Sequence, residues 1–177
     1  KSTFLVDDIT QSGNIPQADL MLAFNIFPYI KEPDIFLEIV RAKLTNNGRL
    51  SVRQYDGATI RFGPMEHLNR ISMDNSLHAS AVGATSFHHY DLDRVFEMLQ
   101  RSSYNQKNID FELFRRISPY PNEFFEYYRN TIEWTLGYIS DSAGENLEKW
   151  YRKFIMDNGC SSPSYFVEVD LVATLVK

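Results

Sequence analysis

The sequence lacks most of the features that announce a function. Cys160 is the one cysteine among 177 residues, so no internal disulfide can form, and a reducing, cytoplasmic compartment is expected. It sits in Asp157-Asn158-Gly159-Cys160-Ser161-Ser162-Pro163, a turn composition following a helical pattern, and reads as a bystander rather than a nucleophile. No apolar run approaches the roughly 18 residues that a membrane span requires, so a soluble protein without a membrane partner is expected. No stripe of Lys and Arg relieves the formal net charge of -5, which argues against a nucleic-acid partner held by counterion release. The glycines, eight in all, never fall two apart, so the chain contains no glycine-rich loop. Lys1 is followed by no basic stretch with an apolar core of the secretory kind. Because the chain opens without Met on what already reads as a strand, Phe4-Leu5-Val6, a piece of a longer chain is expected. There is no internal repeat and no low-complexity segment.

What is present is a globular composition, 44% hydrophobic and 23% charged, sufficient for one core. Leu20 to Asn25 is apolar without alternation, as a strand covered on both faces should be. Lys31-Glu32-Pro33-Asp34 carries helix-start signals, and Ile35, Phe36, Ile39, Val40 and Leu44 keep a helical stripe over Asp34 to Leu44. Gly48 falls where a helix stop is expected, and Gly48 to Arg53 then alternates as a strand. The order is βαβ. Tyr55 to Ala84 has weak periodicity and is predicted irregular, with one short helix near Met65 to Ile71. Asp91 reads as the N-cap of a helix whose Leu92, Val95, Phe96 and Leu99 share one face. Asn108 to Ile117 reads as a strand, Ser118 to Ser162 as an aromatic-rich helical segment, and Tyr165 to Val176 as a terminal strand.

Several motifs stand in a recognisable order. Val6-Asp7-Asp8-Ile9 ends the first strand, and Ile15-Pro16-Gln17-Ala18-Asp19 introduces the next. Asn25-Ile26-Phe27-Pro28-Tyr29-Ile30 follows that strand, Leu44-Thr45-Asn46-Asn47-Gly48-Arg49-Leu50 joins the helix to the strand after it, and His88-His89-Tyr90-Asp91 opens a helix. Together these resemble the second half of the class I S-adenosylmethionine-dependent methyltransferases. The resemblance covers roughly residues 4 to 100, and the last strand more loosely. It implies an α/β fold with a doubly wound, mostly parallel sheet, an antiparallel C-terminal strand and a helical insertion. Residues 1–117 and 163–177 would form the core, and 118–162 an aromatic-rich insertion or lid.

The resemblance also implies that S-adenosylmethionine is the cofactor. Asp8 would accept a hydrogen bond from the adenine amino group, Ile9 would cover the ring, and Asn25 would stand at the end of the strand facing the cofactor. Pro28 and Tyr29 occupy positions where the family often carries His, which excludes a catalytic His there. The glycine-rich loop of the family's first half is absent, so this chain alone is expected to bind the cofactor poorly, with at best a touch on the adenine.

Methyl transfer from a sulfonium is an in-line displacement that needs orientation and, for a protonated nucleophile, a base. His88 and His89 are the candidate bases, since imidazole titrates near neutrality; the plainer reading places them, partly exposed, ahead of a helix cap. The resemblance places the acceptor near the end of the strand Leu20 to Asn25 and the loop beyond it, which offers Asn25, Phe27 and Tyr29, while Arg53 and Tyr55, at and just after the end of the next strand, are candidates to orient a polar or acidic one. No metal is expected, because adjacent His side chains diverge in extended chain and no third ligand is offered. The expected acceptor is a small, fairly apolar molecule. A carrier-tethered or protein acceptor is the alternative among enzymes. A non-catalytic methyltransferase-like module that binds a partner through its aromatic helices is the alternative outside them. With its partner strand absent, Leu20 to Asn25 would present an unpaired apolar edge, so self-association into a homo-oligomer is also expected.

Overall fold

The computed structural model describes residues 15–83, 92–156 and 162–177. The elements run β1 (Ala18–Phe24), α1 (Pro33–Lys43), β2 (Leu44–Tyr55), β3 (Arg61–Gly63), α2 (His67–Gly83), α3 (Leu92–Arg101), β4 (Gln106–Ile117), α4 (Asn122–Leu136), α5 (Asp141–Tyr151) and β5 (Tyr165–Val176). β1 and β2 pair in parallel across α1, as the βαβ order requires. The other pairings are antiparallel: β5 runs between β2 and β4, and its first residues also pair with β3. The sheet is therefore mixed rather than mostly parallel. A chain can return beside its neighbour without a crossover helix when the strands oppose, and β5 does so against three partners.

The βαβ unit differs from its sequence reading at one point. α1 ends at Lys43 and β2 begins at once, so Gly48 lies inside the strand and not beyond a helix stop. The pairing of β1 jumps from Ala18 opposite Leu44 to Leu20 opposite Arg49, and the extra residues bulge out with Asn47 at φ 64°. Gly48 closes the bulge, where a Cβ would stand 2.9 Å from the Thr45 carbonyl oxygen. The stretch predicted irregular holds β3 and the long helix α2. Exposed Leu68 and Ile71 blur the helical pattern of α2, whose inward face is carried by Met73 and Leu77.

The sheet is packed on both faces, with different material. On one side α1 and α3 cover Ala23, Leu50, Val52, Leu171, Ala173 and Leu175, together with Phe36, Leu37, Val40, Val95, Met98 and Leu99. On the other, α2, α4 and α5 gather Phe62, Phe124, Tyr128, Leu147, Trp150 and Phe166. β5 serves both. Its first half buries even-numbered residues toward the aromatic side, and its second half buries Leu171, Ala173 and Leu175 toward the aliphatic side. Past the end of the aromatic cover, Leu20, Leu22 and Phe24 stand exposed on that same face.

Candidate functional site

Asn25 closes β1 in a left-handed conformation, φ 53°, which asparagine tolerates better than most residues. Its N–H donates to the Arg53 carbonyl at 2.8 Å, and its Oδ1 accepts the Tyr55 N–H at 3.2 Å. One residue thus ties together the carboxyl ends of β1 and β2. It sets Arg53 and Tyr55 on the aromatic side of the sheet, opposite Val172 and Asp170 of β5.

Arg53 reaches across to β5. Its Nε and Nη2 donate to Asp170 Oδ2 at 2.9 and 2.7 Å, and Nη2 lies 3.3 Å from Glu168 Oε1. From α4, the Tyr127 hydroxyl donates to Glu168 at 3.0 and 3.2 Å. Glu168 has no exposed surface and Asp170 almost none, while about a third of the Arg53 side chain faces solvent. Asp170 Oδ1 is buried with no hydrogen-bond partner among the described residues. Burial, reinforced by the neighbouring Asp170 charge, pushes the Glu168 carboxyl up to about 7, although Tyr127 and Arg53 both pull it down. Burial also raises the Tyr127 hydroxyl, and the Glu168 charge adds to this. Burial works against the Arg53 charge, but its bonds to Asp170 and Glu168 prevail and hold the guanidinium firmly protonated.

This buried array opens on one side. A cavity of about 350 Å³ is lined by Phe24, Ser51, Arg53, Asp110, Glu112 and Thr174 among others, and Arg53 is the group that joins it to the acids beneath. On the other side the Tyr127 ring packs against Phe114 and Phe166, and Tyr55 packs edge-on against Trp134. The arrangement can hold a proton at Glu168 near neutral pH and offer a fixed cation, Arg53, to a polar group in the cavity.

The structure brings Asn25, Arg53 and Tyr55 together. It does not bring Phe27 to them: that ring is fully buried edge-on against Phe36 in the aliphatic core, with no face left for a ligand. Tyr29 is exposed on the turn after β1. Asp8, Ile9, His88, His89 and Cys160 lie outside the described residues. Tyr127, Glu168 and Asp170 were not singled out from sequence. The available signal was two acids at alternate positions in a strand otherwise rich in Val, Leu and Phe, where alternation suggests solvent and the fold supplies burial. Among the described residues no group of three or more His, Cys, Asp or Glu side chains converges as a metal site. No helix among them is long and apolar enough to cross a membrane.

No protein-family model and no curated protein sequence matches the chain. Solved structures do. A Bacillus halodurans protein assigned as a methyltransferase superposes with a TM-score of 0.51 at 12% identity, over 97% of this chain and 69% of that one. The [4+2]-cyclase SpnF aligns with a TM-score of 0.46 at 14% identity, over 97% of this chain and 54% of its own. A Haemonchus contortus phosphoethanolamine N-methyltransferase, solved with phosphomonomethylethanolamine and S-adenosylhomocysteine, aligns at 0.44 and 14%, over 96% of this chain and 36% of its own. The chain thus spans little more than a third to about two thirds of the length of these structures. Its fold is that of the class I methyltransferase-like α/β proteins, with a mixed sheet.

The described residues do not by themselves fit S-adenosylmethionine. Asn25 has its N–H and its Oδ1 committed to β2, and no glycine stands beside it to let a backbone approach a ligand closely.

Proposed function

We propose that the chain forms the acceptor side of an S-adenosylmethionine-dependent methyltransferase, with a small, fairly apolar acceptor in the cavity beside Arg53. The observation that carries this reading is the Arg53–Asp170–Glu168–Tyr127 array at the carboxyl end of the one parallel strand pair among the described residues, in a methyltransferase-like fold. Ligands of open α/β sheets gather at that edge. Phe24 and the Val172 side of β5 supply apolar wall, Arg53 orients a polar substituent, and Asp170 with Glu168, itself held by the Tyr127 hydroxyl, fixes the Arg53 guanidinium in place. His88 and His89 remain candidate bases, and Asp8 with Ile9 the candidate adenine contacts. Phe27 drops out as an acceptor contact. The cofactor's remaining contacts must come from polypeptide with a glycine-rich loop, which this chain lacks. A cytoplasmic location follows from the single cysteine.

The alternative of a partner-binding module loses ground, because the aromatic rings it would use are spent inside: Phe124, Tyr128 and Trp150 are buried in the second core. The test is transfer of radiolabelled methyl groups by the full-length protein to a panel of small phenols, amines and carboxylic acids. Transfer is expected, falling about 100-fold in Arg53→Met, as misplacement of the acceptor costs. Absence of both transfer and cofactor binding, or an unaffected Arg53→Met enzyme, overturns the reading.

A further inference from the structure

β4 is long, lies at the edge of the sheet, and pairs along its length with β5. Among the described residues no strand pairs with its outer edge, where the Asp110 carboxylate accepts the Phe111 N–H and the Arg116 guanidinium donates to the Arg115 carbonyl, bonds that a second strand would have to displace. An open edge of this length is a template for another strand. It is also apolar on the face it shares with α3: Phe111 is 52% exposed, Leu113 60% and Ile117 66%. Natural edges are usually blunted by charge. Here the charges are ordered instead: Lys107 at the start of the strand is turned back to the Gln100 carbonyl, and beyond it Asp110 and Glu112 precede Arg115 and Arg116.

That order is self-complementary when a second copy runs antiparallel. A twofold axis through Leu113 sets Leu113 against its own copy, Ile109 against Ile117, and Phe111 beneath the Arg115 guanidinium of the other chain. On the opposite face Asp110 meets Arg116, with Glu112 diagonal to the same guanidinium, within reach of cross-strand pairing. Side chains on both faces match, which antiparallel pairing demands because opposed residues point the same way. Moving the axis to Glu112 opposes that carboxylate to itself. Moving it to Phe114 carries Asp110 past the end of the strand, to Ser118. Among the described residues β1 and the three-residue β3 also end the strand order; β1 carries only Asp19 and no base, so it contains no comparable register code.

We propose that β4 is the homodimer surface of this protein, joining two sheets into one across an axis at Leu113, with Asp110 and Arg116 of opposite copies paired. The inference does not rest on the methyl-transfer reading, although Asp110 and Glu112 also line the cavity beside Arg53. The contact is one strand wide, so the dimer is of the weak class that dissociates on dilution.

Sedimentation equilibrium over a concentration series tests it by charge reversal. The unmodified protein is expected to dimerise, and Asp110→Arg and Arg116→Glu each to sediment as monomers, since each opposes like charges twice. Mixing the two variants restores attraction at both positions, and an equimolar mixture is expected to regain the dimer as a heterodimer. Recovery on mixing also shows that both variants are folded. A monomeric unmodified protein at the highest soluble concentration, a dimer that survives either reversal, or a mixture that stays monomeric would overturn the proposal.

Discussion

The two faces of the sheet are packed by different means. The α1–α3 side is closed mainly with aliphatic side chains whose helical spacing is regular, and its buried polar groups are scattered ones such as Gln54 and Tyr104, whose hydroxyl donates to the Leu37 carbonyl. The α2–α4–α5 side is closed with rings: Phe62, Tyr128 and Phe166 lie with centroids 5.4 to 6.0 Å apart, and Trp150 closes on Phe62 and Tyr128 at 5.6 and 5.9 Å. At the margin of that aromatic cover stand Glu168, Asp170 and Arg53. The lesson is that the aliphatic face builds the scaffold, while the aromatic face ends in a buried polar array beside an open cavity. Burial of an acid is tolerable there because Arg53 and Tyr127 meet it.

The contrast can be broken most forcefully in the ring cluster. Phe166→Ala removes a fully buried ring and is expected to cost about 4 kcal/mol, against about 3 for Leu175→Ala on the other face. Urea denaturation of both and of the double variant should give additive losses if the faces are separate cores, and non-additivity would merge them. Arg53→Met comes next, because it strands two buried carboxylates. A loss of about 2 kcal/mol is expected, with the Glu168 carboxyl titrating at higher pH by carbon-detected NMR. An unmoved Glu168 titration would dissolve the array.

The pH dependence of the two faces should differ as well. Glu168 titrates near 7 when folded, above the ordinary value of 4.5, so the folded state holds its proton more tightly. Its contribution is present below about pH 4.5 and lost as pH rises through 7, with an upper limit of roughly 3 kcal/mol. Unfolding free energy measured from pH 5 to 8 should fall in the native protein and flatten in Glu168→Gln. The smallest effect belongs to the aliphatic face, whose α1 and α3 are bridged at the surface by Asp34 and Arg101 at 2.8 Å. The hydrogen bond from Arg101 lowers the Asp34 carboxyl, so that support is present above its ordinary value and fades as pH falls. Both groups are exposed, and Asp34→Asn should change stability by less than denaturant titration resolves.

Much of the scaffold was legible because its signals are local. Pro33, Asp34 and the stripe through Phe36 and Val40 mark α1, and Leu92, Val95 and Leu99 mark α3, each from a helical period in a few turns. Asn25, Arg53 and Tyr55 were legible as residues near the carboxyl ends of strands, though β2 runs on through Arg53 to Tyr55 where a loop was expected. β3 and α2 were not, since three residues make too short a strand and exposed Leu68 and Ile71 scramble the period. Phe27 misled because a ring after a strand can line a site or enter a core, and the choice depends on Phe36 waiting across a turn. Glu168 was hidden by the same alternation that marks β5 as a strand.

By itself, then, the order of residues determined the βαβ unit, the helical stripes and the absence of a glycine-rich cradle, all of which depend on neighbours within a few positions. Only the tertiary structure decided the direction of β5 among its partners, the meeting of Arg53 with acids more than a hundred residues away, and the burial that turns Glu168 from a surface charge into a group titrating near neutrality. Those depend on register between distant strands and on the local dielectric, and neither is written in any short window of the chain.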